Sequence, residues 1–391
     1  MCLKVQPKVY IKKTIRTPIG KTNGVFKHLL AEDLFAQLLS HVLTSEFNSP
    51  NDIDEIIAGT AVGVGGNPAR YSALMAGLLN TPSFSVDYQC GSGLKSIELG
   101  YSYIKAGLRD IVVCGGFEST SLEVRKELNK SDPRYEDYKG ILSKAPFAPS
   151  NIGDPSMLDA AEASAKHMAY RKEELDMIAL NSHKKAVIAR DSGKLKSHIL
   201  SIEVDGQRVD YDETIRDKMN MRLLSRMKPL TQNGRIITAG NACLKHDGAA
   251  LVILCSDEGL KKLKSMNVEG EILGFKSIAL NPIYSPLGAY KSVAGLLKDE
   301  NLIVDDISAF EVNEAFALKT HSLTKELSIE KEKINKLGGA LAYGHPYGAS
   351  GAIIMTHLIA SLEDKELGIC TMGVAGGQGI AALVRRCNYA Y

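Results

Sequence analysis

Residues 84–114 read as a strand, a sharp turn, a helix and a second strand, and that order constrains the fold more than any other feature of the chain. Phe84-Ser85-Val86-Asp87-Tyr88-Gln89 is a short strand candidate. After it, Leu94, Ile97, Tyr101 and Ile104 recur at helical spacing, and Gly107 suits the C-terminal cap. Arg109 to Cys114 then gives a continuous apolar strand. Strand, helix, strand in this order predicts a right-handed parallel unit and hence an α/β class. Asp54–Gly59 is a further strand candidate in the same portion, residues 1–118.

The alternation stops at 119–245, which is richer in Lys, Arg, Glu, Ser and Met and lacks strong strands until near its end. That is the composition of an excursion laid over a core. From about 246 the alternation returns, with strands near Ala249–Leu254, Gly270–Ile278 and Ile307–Glu311. Helices are expected near Tyr290–Lys298 and Ala315–Leu327, and a final strand pair at Cys370–Val374 and Ala381–Arg385. The two regular portions share a rhythm that suggests duplication, without a residue-level repeat.

Composition narrows the function classes. A chain of 391 residues, 45% hydrophobic, can bury a sizeable core in two or three domains. Its 47 Lys+Arg against 45 Asp+Glu leave no global field pointing to nucleic acid or a membrane surface. No apolar run approaches the roughly 18 residues of a span, and Met1–Val5 leads straight into a strand-like Val9-Tyr10-Ile11, so no signal peptide is expected. The seven cysteines are scattered, with no CxxC pair and no zinc spacing, so a reduced cytoplasm and no metal are expected. Gly63-Val64-Gly65 lacks the third glycine of a dinucleotide fingerprint.

Five motifs carry candidate chemistry. Cys90, in Gln89-Cys90-Gly91-Ser92-Gly93, falls at an expected helix N-terminus, where the dipole and unpaired N–H groups would lower a thiol pKa and favour a nucleophile. A buried structural cysteine is the bland alternative. His345 lies in a glycine-rich turn, Gly344-His345-Pro346-Tyr347-Gly348, that feeds an apolar helix and suits an anion or oxyanion site; otherwise it is a turn histidine bonded to a carbonyl. Asn313, in Glu311-Val312-Asn313-Glu314-Ala315-Phe316, either caps a helix or holds a water. Thr238–Cys243 closes the polar excursion, and Gly373-Val374-Ala375-Gly376-Gly377-Gln378-Gly379 is either an anion-binding loop or a tight turn.

These pieces, in this order and spacing, resemble the thiolase family, the acetyl-CoA acetyltransferases and 3-ketoacyl-CoA thiolases. Arg16-Thr17-Pro18-Ile19-Gly20, Gly66-Asn67-Pro68 and Gly115-Gly116-Phe117-Glu118-Ser119 extend the likeness over nearly the whole chain. The resemblance implies a duplicated α-β-α-β-α five-layer α/β core: 1–118 plus 246–269 as one half, 270–391 as the other, and 119–245 as an inserted loop domain over the coenzyme. It implies a homodimer or homotetramer, acyl-CoA and coenzyme A as substrates, no permanently bound cofactor, and two-step acyl transfer. By position, Cys90 resembles the nucleophile and His345 the group that takes its proton. Asn313 resembles the asparagine that holds a water in one oxyanion hole, and the N–H groups of Cys90 and Ala375 resemble the second hole. Met157, Cys243, Ala315 and Phe316 match walls of the pantetheine channel. Arg216 matches a basic residue near the nucleotide; alternatively it is a solvated surface arginine.

The sequence also departs from the family. The family's second cysteine, which moves the proton on the substrate α-carbon, falls at Gly373. Cys370 lies at an odd offset on the expected strand and so faces the other way. Cys243 replaces a serine, Ser156 a histidine, and Asp87 an asparagine; a buried carboxylate at Asp87 would oppose a thiolate unless paired. Acylation of Cys90 is therefore expected to be intact, with carbon–carbon chemistry impaired or served by Cys243, a water or His345. The competing expectations are a ketoacyl-synthase-like enzyme and a degenerate acyl-CoA-binding homologue.

Overall fold

The computed structural model describes residues 7–142 and 144–388. Met1–Val5 and Cys2, discussed above, lie outside them. The strands in chain order are Tyr10–Arg16 (β1), Gly20–Lys21 (β2), Glu55–Gly59 (β3), Ser83–Val86 (β4), Ile111–Glu118 (β5), Lys126–Glu127 (β6) and Ile141–Leu142 (β7). They continue with Ile202–Val204 (β8), Gln207–Val209 (β9), His246–Cys255 (β10), Gly270–Ala279 (β11), Ala309–Val312 (β12), Leu367–Val374 (β13) and Gln378–Arg386 (β14). One large sheet takes the order β12-β13-β14-β11-β1-β10-β5-β3-β4, with β2 alongside β10. Among the described residues the polar excursion contributes the small hairpins β6–β7 and β8–β9 to sheet structure, in line with its weak strand pattern.

The opening strand–helix–strand reading holds. β4 and β5 both run parallel to β3 and flank it, and the Ser92–Lys105 helix joins them. Its Leu94, Ile97 and Ile104 are fully buried, each contributing about 1.5–3 kcal/mol on removal from water. Ser96 ties the helix to β5: its hydroxyl accepts from the Gly115 N–H at 2.9 Å. β10 is buried at every position because it lies between β1 and β5, which is why its sequence is a near-continuous apolar run.

The boundary that matters most falls elsewhere than expected. β4 stops at Val86 rather than Gln89, and residues 87–91 form a turn before the helix starts at Ser92. Gln89 takes a left-handed backbone at φ 49°. The Ser92 hydroxyl stitches this turn, accepting from the Tyr88 N–H at 2.8 Å and donating to the Gln89 carbonyl at 2.6 Å.

A second helix, Ser350–Ser361, packs against Ser92–Lys105. A Cβ on Gly93 would stand 2.6 Å from the Gly348 carbonyl, and one on Gly351 only 2.0 Å from the Leu94 nitrogen. The two helix starts therefore meet backbone to backbone, which only glycine allows. Among the described residues no helix is long and apolar enough to cross a membrane. Gly351→Ala is expected to lose about 1–3 kcal/mol of stability through overpacking, read as a lower urea midpoint at unchanged slope; a midpoint equal to the parent's would contradict this close approach.

Candidate active site

The turns that lead into those two helices border a cavity of about 300 Å³. It is lined by Cys90, His345, Ala375, Met157, Cys243, Ala315 and Phe316, together with Lys319 and Tyr347. Seven of the nine residues singled out from sequence thus share one space. Asn313 and Arg216 do not line it.

Cys90 sits in the turn after β4 and keeps part of its surface open. Its thiol is pushed up to about 11, burial being the largest cause; Lys319 pulls it down, while Glu118 and then Asp87 push it up. The expected lowering at a helix end is therefore overturned. The helix begins two residues later, and desolvation outweighs the favourable terms. Asp87 is not buried either. It is exposed, and its carboxylate accepts from the Gln89 N–H at 2.9 Å, supporting the left-handed turn.

His345 is only 2% exposed. Its backbone N–H donates to His246 Nδ1 at 3.0 Å, and Lys245 bridges to it, so the entry to β10 fixes its place. His345 Nδ1 is 2.5 Å from Ser350 Oγ, and that hydroxyl donates to the Pro346 carbonyl at 2.8 Å. Assigned so that Ser350 keeps its bond to Pro346, Nδ1–H donates to Ser350 and Nε2 is the bare acceptor. Nε2 is buried and has no hydrogen-bond partner among the described residues. Burial first, then the Lys319 and His246 charges, hold His345 well below the usual histidine range. The site thus pairs a neutral thiol with a neutral imidazole that can accept its proton.

Asn313 lies behind the imidazole. Its amide nitrogen is 3.3 Å from His345 Nδ1, and its backbone N–H donates to the Thr371 carbonyl at 3.0 Å. With Ser350 and Gly344 it lines a separate pocket of about 10 Å³, room for about one water, and its Oδ1 is buried without a partner among the described residues. Met157 opens the Met157–His167 helix, which Ser156 caps by accepting from the Asp159 N–H at 3.1 Å. The serine that departs from the family pattern therefore has a structural use here. Arg216 is exposed, and its backbone N–H donates to His183 Nδ1 at 3.2 Å. The basic side chains along the cavity are instead Lys126, Lys144, Lys245 and Lys319, none of which the sequence reading selected.

Gly373 is the next-to-last residue of β13, and its carbonyl meets Lys319 of the cavity lining. A Cβ there would stand 2.7 Å from the carbonyls of Ser285 and Pro286. Cys370 is fully buried in the core and is absent from the lining, as its offset predicts. Cys243 does line the cavity; its thiol is pushed up to about 12 by burial and its N–H donates to the Ala315 carbonyl at 2.9 Å. Among the described residues no His/Cys/Asp/Glu cluster could hold a metal.

With the Cys90 thiol pushed up to about 11 by burial, its alkylation by iodoacetamide in the free protein should climb about tenfold per pH unit between about pH 7 and 9. Peptide mass analysis of Cys90 checks this. A plateau already reached at neutral pH would mean that the thiolate is present at rest.

Residues 9–258 match the family model described as the thiolase N-terminal domain, and residues 266–386 the thiolase C-terminal domain. A probable acetyl-CoA acyltransferase of Staphylococcus aureus is 35% identical, over 97% of this chain and 99% of the relative. Among solved structures, an Ascaris suum thiolase in complex with coenzyme A superposes with a TM-score of 0.87 at 28% identity, covering 97% of this chain and 100% of that one. Human mitochondrial 3-ketoacyl-CoA thiolase gives a TM-score of 0.87, also at 28% identity, covering 97% and 99%. A large mixed sheet, the Cys90–His345 cavity and matches spanning both halves of the chain agree, and the chain belongs to the thiolase family of acyltransferases.

Proposed function

We infer that the protein moves an acetyl or short acyl group between coenzyme A and an acyl-CoA through an acyl-Cys90 intermediate, forming or cleaving a 3-ketoacyl-CoA. The observation that carries this is the convergence of Cys90 with the bare Nε2 of His345 in one cavity. Cys90 Sγ attacks the thioester carbonyl while its proton passes to His345. The coenzyme thiolate then leaves and takes that proton from the imidazolium, giving acyl-Cys90 and free coenzyme A. A resting thiol near 11 fits a nucleophile that is deprotonated only as it attacks.

The N–H groups of Cys90 and Ala375 are the donors for one oxyanion, and a water held by Asn313 beside His345 would serve the other. Met157, Cys243, Ala315 and Phe316 wall the pantetheine arm, and the segment 119–245 covers it. Lys126, Lys144 and Lys245, rather than Arg216 alone, meet the phosphates. The protein works as a homodimer or homotetramer; β4 leaves a free sheet edge, and exposed Tyr71, Leu74, Met75 and Leu79 precede it in sequence. Gly373 favours a second reading, a homologue that binds acyl-CoA without efficient condensation.

Incubation with labelled acetyl-CoA should leave label on the peptide containing Cys90 and none in Cys90→Ser. His345→Asn should slow labelling about 10²–10⁴-fold. Coenzyme A binding by calorimetry with no label on Cys90 would replace this reading with the second.

A further inference from the structure

Lys319 stands out among the groups that the acyl-transfer steps leave unused. It is carried by the Ala317–Glu326 helix, is fully buried, and lines the same cavity as Cys90, Cys243 and His345. Its Nζ donates to the Gly373 carbonyl at 2.9 Å. Among the described residues no carboxylate forms an ion pair with it; the charges acting on it are those of Cys90 and Cys243. An ammonium buried without a counter-ion is costly, and such lysines give up their proton readily.

The second side chain of the family chemistry is missing at Gly373. The chain has not simply lost a group there, because a Cβ at that position would run into the Ser285 and Pro286 carbonyls at 2.7 Å. The carbonyl of Gly373 instead holds an amine. We propose that Lys319 is the catalytic acid–base at the substrate α-carbon, an assignment that rests on the acyl-Cys90 reading above.

In condensation, the uncharged amine takes a proton from the methyl group of a second acetyl-CoA. The C–H electron pair forms the new bond to the carbonyl carbon of acetyl-Cys90. The C–S bond then breaks, the thiolate leaves, and it takes the proton back from the Lys319 ammonium. One 3-ketoacyl-CoA and one free Cys90 thiol result, and thiolysis runs the same steps in reverse. Burial lowers Lys319 from the usual lysine range, with Cys90 and Cys243 opposing, and this brings its basicity toward what such a transfer requires. The other neighbours suit the task less. Cys243 is pushed up to about 12, and His345 already serves the Cys90 proton.

The test separates the two half-reactions in Lys319→Met, with folding confirmed by circular dichroism. Acetylation of Cys90 by acetyl-CoA should be retained, while thiolysis of acetoacetyl-CoA falls about 10²–10⁴-fold. In Lys319→Ala, added ethylamine should restore part of the lost thiolysis, which a merely structural lysine would not allow. Thiolysis at the parent rate in Lys319→Met, or its loss in Cys243→Ala but not in Lys319→Met, overturns the assignment. So does loss of both half-reactions in a folded Lys319→Met, which makes the amine a counter-ion for Cys90. A parent protein never acetylated at Cys90 instead overturns the acyl-cysteine reading and this one with it.

Discussion

Everything at the site depends on two stretches of backbone meeting without side chains between them. Gly93 and Gly351 let the Ser92–Lys105 and Ser350–Ser361 helices start in contact, so a thiol and an imidazole far apart in sequence share one cavity. Glu118 locks the same seam from β5. Its carboxylate accepts from the Gly348 and Ala61 N–H groups, both at 2.9 Å, and from Thr60 Oγ1 at 3.0 Å. The loop that carries His345 is thereby tied to a segment whose Ala61 and Val62 line the cavity. Substituting any of these groups would shift the geometry of the cavity as well as stability, and for the proposed chemistry small displacements are costly at a reacting centre.

Burial is the common electrical influence. It raises the thiols of Cys90 and Cys243 and lowers the basic groups of His345 and Lys319. All four are pushed toward their uncharged forms, the cheaper state in a low-dielectric interior. Such a site avoids holding unpaired charge at rest; on the proposed reading it develops charge only as protons move with the bound substrate. This differs from a thiol activated in advance by a helix end, and it places more of the demand on the bases.

The α/β class and most elements were legible in the chain because each left a local trace; the pairing of Cys90 with His345 came only with the resemblance to the thiolase family. Apolar runs marked the buried strands, helical spacing marked Leu94 to Ile104, and glycines marked the turns. The misplaced end of β4 had no such trace. Gln89 adopts φ 49° without being a glycine, held by Asp87 and Ser92 in a way only the folded turn reveals. Lys319 was passed over because a lysine in a helix ordinarily reads as a solvated face. What buries it is packing from distant segments, which bring Gly373 and Cys90 to it; a weak signal was its position three residues after Phe316, on the same helical face. Arg216 was drawn by family position alone, and its exposure depends on how the 119–245 segment folds back.

The most direct measurement is a crystal structure of the protein soaked with acetyl-CoA and rapidly frozen. The expected result is an acetyl group on Cys90 Sγ, with His345 Nε2 facing the departed coenzyme sulfur and Lys319 Nζ facing the methyl carbon of a second acetyl-CoA. Intact acetyl-CoA in the cavity beside an unmodified Cys90 would contradict the central claim.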